Sequence, residues 1–61
     1  MGLNPVRWYV LRWFEREERS LRVRMDPEAA SAIATKRVAT GGPWKPNTAV
    51  RWIADYQRRG R

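Results

Sequence analysis

Cysteine and histidine are both absent from the 61 residues of this chain. The first absence excludes disulfides, and the two together exclude an ordinary zinc site of thiolate and imidazole ligands. They also leave Ser20 and Ser31 without a histidine to activate them as nucleophiles. The expectation is a protein that is not an enzyme and holds no metal or cofactor. No apolar run approaches the roughly 20 residues needed to span a bilayer. Arg7 and Arg12 interrupt what would be the apolar stretch of a signal peptide, so a cytoplasmic protein without a membrane role is expected, and the lack of cysteine fits a reducing compartment. Chains this short draw only about 3–5 kcal/mol from their own core, so without a disulfide or a metal this one calls for self-association, a larger partner or very efficient packing.

Acidic residues are also scarce, six against 13 basic ones, for a formal charge of +7. Eleven of the basic residues are arginine, and the excess is uneven. Residues 1–19 carry +1, while residues 20–61 carry +6. An arginine-rich unit of that charge suggests a polyanion as partner, with nucleic acid the first choice.

Asn4-Pro5 predicts a helix start, with asparagine as N-cap and proline in the first turn. Val6, Tyr9, Val10, Trp13 and Phe14 then form an apolar stripe at helical spacing. Glu17 would fall on that stripe, so burial should stop near Phe14. Trp8 and Leu11 form a second small apolar patch, and Glu15, Glu17 and Glu18 should pair with Arg16 and Arg19 on a solvated face. Asp26-Pro27-Glu28 repeats the start signal for an alanine-rich helix that Gly41-Gly42 should end as a left-handed cap. After a breaker-rich loop, Asn47 or Thr48 should cap a last helix. Its core stripe is Ala49, Trp52, Ile53 and Tyr56, with Val50 and Ala54 on its edge and Arg51, Asp55 and Arg58 pointing away. Trp13 and Trp52 belong to predicted core stripes, whereas Trp8 and Trp44 are off-stripe and are candidates for contact with a partner protein.

Between the first two helices, Ser20-Leu21-Arg22-Val23-Arg24-Met25 alternates polar and apolar residues, the pattern of a strand with one buried face. A lone strand cannot satisfy its own backbone, so its expected partner is the same strand of a second copy. Arg22 and Arg24 would then project from one face of a two-stranded ribbon, about 7 Å apart. Such a ribbon fits the major groove, where arginine pairs with guanine.

From Ser20 onward, the run Leu21 to Glu28, the Ala39-Thr40-Gly41 helix end and the Thr48-Ala49-Val50 helix start resemble the ribbon-helix-helix family of DNA-binding proteins, the Arc and MetJ type. The resemblance implies an intertwined homodimer on double-stranded DNA. Base contacts would come from Ser20, Arg22 and Arg24, and backbone contacts from Lys45, Asn47 and Thr48. The expected fold is therefore mainly α with one short strand. Residues 1–19 would be an accessory amphipathic helix for packing or partner contact, and residues 20–61 a DNA-binding domain acting as a repressor or accessory factor, associated with the nucleoid when bound.

Residues 41–53, Gly-Gly-Pro-Trp-Lys-Pro-Asn-Thr-Ala-Val-Arg-Trp-Ile, also look like a segment of large serine recombinases. That likeness implies a helix-turn-helix in which the final helix reads DNA through Lys45, Asn47, Thr48 and Arg51. A third expectation is a small basic protein that inhibits or assembles with another protein through the Trp-bearing first helix.

Overall fold

The computed structural model describes residues 4–59 and consists of three helices: α1 (Pro5–Leu21), α2 (Pro27–Gly41) and α3 (Pro46–Arg59). No strand occurs among the described residues. The expected ribbon and the intertwined dimer built on it are thereby overturned.

The start of α1 follows from Asn4-Pro5. Asn4 is extended, and its side-chain Oδ1 accepts from the backbone N–H of Val6 at 3.0 Å and of Arg7 at 3.2 Å. Proline has no N–H to satisfy and a φ already suited to the first turn. The helix buries Val10, Phe14, Glu18 and Leu21. Burial therefore runs a full two turns past Phe14, because the core-facing row steps from Phe14 to Glu18 rather than to Glu17.

The stretch read as a strand lies at the end of this helix. Ser20 and Leu21 are in its last turn, and residues 22–25 form a turn. The carbonyl of Leu21 accepts from the N–H of Arg24 at 2.9 Å and of Met25 at 3.1 Å. Helix and turn thus pair the N–H groups of Arg22, Arg24 and Met25 locally, which a lone strand cannot do. Leu21 is buried and Met25 half-buried, but Val23 is 85% exposed. The alternation thus has no common buried face. Because residue 20 lies inside α1, which shares one core with α2 and α3, no structural break falls between residues 19 and 20.

Asp26 caps α2, its Oδ1 accepting from the N–H of Ala29 at 2.8 Å, with Pro27 in the first turn and Glu28 near the positive end of the helix dipole. Ala30, Ala34, Val38 and Ala39 are buried. Three of these four are alanines, and the largest fully buried side chains are Val10 and Phe14 on α1, Ile53 on α3 and Val38 on α2 itself. The core is completed within one chain.

The end of α2 departs from the expected left-handed cap. Gly42 has φ −126° and ψ 177°, and no described glycine has positive φ. The glycines provide clearance instead. A Cβ on Gly41 would sit 2.9 Å from Cη2 of Trp13, and one on Gly42 would overlap the indole of Trp44.

On α3, Ala49 and Ile53 are buried, while Trp52 and Tyr56 are half-buried against the core, as the stripe predicts. The helix begins at Pro46, two residues earlier than an Asn47 cap and three earlier than a Thr48 cap would place it, so both residues lie inside its first turn and neither is the N-cap. Arg7 pairs with Asp55 at 3.2 Å, and the Tyr56 hydroxyl donates to Glu15. Residues 7 and 15 are about 12 Å apart along α1, whereas 55 and 56 are adjacent. Helix α3 is therefore tied to α1 at two points along its length.

Candidate nucleic-acid interface

Positive charge without a carboxylate partner is what a polyanion would meet first. Arg7, Arg37, Arg58 and Arg59 are committed to ion pairs, the first, third and fourth with Asp55 and the second with Glu17. Arg12, Arg16, Arg19, Arg22, Arg24, Lys36, Lys45 and Arg51 pair with no carboxylate among the described residues. The three glutamates of α1 are not the solvated, locally paired face expected of them. Glu17 accepts from Arg37 on α2 and from Nε1 of Trp13, Glu15 accepts from Tyr56 on α3, and Glu18 is buried. Tertiary contacts take up the acids and leave most of the arginines outward.

Two surfaces result. The first is the outer face of α3. Asn47, Val50, Arg51, Ala54 and Arg58 are all exposed, at i, i+3, i+4, i+7 and i+11, one continuous stripe opposite the buried Ala49 and Ile53. Lys45 precedes it, exposed, and Thr48 is half-buried at its edge. Residues 42–45 join α2 to α3, the short length of connection used between the helices of a helix-turn-helix. Side chains on this stripe are short or basic, so the helix presents a narrow, convex, positively charged ridge.

The second surface is a groove of about 540 Å³ along α1, lined by Trp8, Tyr9, Arg12, Trp13, Arg16, Glu17 and Ser20. Trp8 is 61% exposed and Tyr9 56% exposed. The Arg12 guanidinium lies over the Trp8 ring, 5.5 Å from its centroid, within cation–π range. Tyr9, Trp13 and Trp44 form a triangle of tilted rings with centroids 5.9–6.4 Å apart.

The residues singled out from the sequence are scattered by this arrangement. Ser20 closes the α1 groove, and Arg22 and Arg24 are exposed on the turn between α1 and α2. They do not form a paired reading surface, because the ribbon that would align them is absent. Lys45, Asn47 and Thr48 do come together with Arg51 at the start of α3. Trp8 is outward, as a contact residue should be. Trp44 is not: it is half-buried, completes the ring triangle and donates from Nε1 to the carbonyl of Val38 at 2.9 Å, which makes it part of the scaffold.

Arg12 and Arg16, which line the α1 groove, are not among the site residues singled out from the sequence. Their signal was present as the four-residue step Trp8, Arg12, Arg16, Ser20 along one helix face. Among the described residues no cluster of acidic side chains could hold a metal ion, and no helix is long and apolar enough to cross a membrane. Comparison of the chain with protein-family models, with curated proteins and with solved structures finds no match.

Proposed function

We propose that this protein binds double-stranded DNA through α3, as a three-helix module of helix-turn-helix type. The observation that carries the reading is the exposed stripe Asn47–Val50–Arg51–Ala54–Arg58, which follows the short 42–45 connection and bears no acidic residue. A major groove about 12 Å wide admits one α-helix. Arg51 is the base-reading residue: it is exposed, free of a carboxylate partner and central on the stripe. An arginine there forms a bidentate pair with guanine, and Asn47 suits adenine. Lys45 and the backbone at the start of α3 contact phosphates, where the positive end of the helix dipole lies. Arg22 and Arg24, on the separate α1–α2 turn, add charge but no sequence reading.

Selection of bound sites from a random duplex pool, followed by binding titrations, tests this. An enriched consensus is expected. Arg51→Ala should weaken binding to that consensus by about 5- to 150-fold, the worth of one bidentate base contact. The Arg22→Ala/Arg24→Ala double variant should weaken all sequences alike and make the salt dependence shallower. No enrichment, or an Arg51→Ala protein that binds the consensus as tightly as the parent, overturns the reading.

A further inference from the structure

Beyond duplex binding by α3, we propose that the α1 groove is a separate binding site for single-stranded nucleic acid, with Trp8 as a base-stacking platform and Arg12 and Arg16 as phosphate contacts. Three observations support it. First, the groove carries an exposed indole and an exposed phenol ring, Trp8 and Tyr9, and Trp8 makes no contribution to the core. Second, its outward polar groups are donors. The Arg12 and Arg16 guanidinia and the Ser20 hydroxyl line it, while the one carboxylate, Glu17, is neutralised by Arg37 at 3.2 Å and accepts from Trp13 at 3.3 Å. Third, Trp8, Arg12, Arg16 and Ser20 follow one another at about 6 Å steps along the helix. Aromatic and phosphate-binding groups therefore track one line.

The occupant follows from this chemistry. Two guanidinia without a carboxylate partner favour an anionic ligand. A duplex keeps its base faces stacked inside and has none to offer Trp8. An acidic peptide would satisfy the arginines but leave the aromatic faces in water. A single strand supplies both: a phosphate draws the Arg12 guanidinium off the Trp8 ring, over which it lies 5.5 Å from the centroid, and a base stacks on the ring in its place, the combination used by proteins that bind single strands without sequence preference. The groove also lies on the α2 side of α1: Trp13 and Glu17, which line it, meet Gly41 and Arg37, whereas Arg7 and Glu15 turn to α3. It is therefore distinct from the α3 stripe, and the two bindings separate by mutation.

The test is fluorescence anisotropy of a labelled oligo-dT of about twelve nucleotides, a length within the site sizes of such proteins. Trp8→Ala should weaken binding about 5- to 150-fold, the worth of one base stack. Trp8→Phe should recover much of it, and Arg51→Ala should change nothing. Arg12→Gln with Arg16→Gln should lower the log–log salt slope by about 0.7 for each phosphate no longer neutralised. Unchanged melting of the Trp8 variants shows that the weaker binding is not unfolding. Oligo-dT binding that is indifferent to Trp8, or a poly-glutamate peptide of equal charge that binds as tightly as the oligonucleotide, overturns the proposal. Loss of duplex binding with retained Trp8-dependent oligo-dT binding would overturn the α3 reading alone.

Discussion

Gly42→Ala isolates why two glycines end α2. The backbone at Gly42, φ −126° and ψ 177°, suits any residue, so an alanine there is not strained by its torsions. On conformational entropy alone, the substitution should stabilise by about 0.4–1 kcal/mol through the unfolded state. The added Cβ, however, would fall on the Trp44 ring, with Cη2, the farthest of three overlapped carbons, at 2.5 Å. A rigid indole cannot yield by rotating a flexible tip. If the ring moves, it weakens its contacts with Tyr9 and Trp13, each at 5.9 Å between centroids, and its hydrogen bond to Val38. Such overpacking costs about 1–3 kcal/mol, which outweighs the entropic gain. With about 4–8 °C per kcal/mol for a domain of this size, the midpoint should fall by roughly 5–20 °C. Thermal melts followed by near-UV circular dichroism measure this, since the aromatic triangle supplies the signal. The decisive arm is the double-mutant cycle: with Trp44→Ala in place, Gly42→Ala should become neutral or slightly stabilising. An equal cost in both backgrounds, or a Gly42→Ala protein as stable as the parent with an unaltered near-UV spectrum, refutes the clearance argument.

Phe14 is the largest fully buried side chain, and Phe14→Ala should cost about 3–5 kcal/mol, comparable to the whole stability of so small a domain. Loss of cooperative melting is the expected result, and a melt within a few degrees of the parent would contradict the assigned core. Asp26→Ala removes the α2 cap and should lower stability by about 0.5–2 kcal/mol in denaturant titrations. Because the core closes within one chain, the melting temperature should not change over a hundredfold dilution. A steady rise with concentration would point to a folded unit larger than the monomer.

Helix starts were legible in the sequence because their causes are local. Asn4-Pro5 and Asp26-Pro27 each combine a side-chain acceptor with a proline, and both work as read. The α3 core stripe was legible for a similar reason, since Ala49, Ile53, Trp52 and Tyr56 repeat at helical spacing over a whole helix. The Leu21–Met25 alternation was too short to discriminate. A period of two over five residues also places its first and last members at i and i+4, neighbours on a helix face. Only Val23 separates the two readings, and it is exposed. With the strand gone, the arginines assigned to base reading lost their alignment, while Lys45, Asn47, Thr48 and Arg51 kept theirs because they belong to a real helix end.

By itself, then, the sequence determined where α1 and α2 begin, that Ala49, Trp52, Ile53 and Tyr56 of α3 turn inward, and that the molecule is strongly basic. Those properties depend on neighbours within a turn or two of the chain, or on composition alone. Tertiary structure decided which charges are available and which aromatics are surface. Arg7, Arg37, Glu15 and Glu17 find partners 20 to 48 residues away. Trp44 becomes scaffold only because Tyr9, Trp13 and the Val38 carbonyl surround it. No local pattern encodes such pairings, because they exist only once three helices have closed on one core.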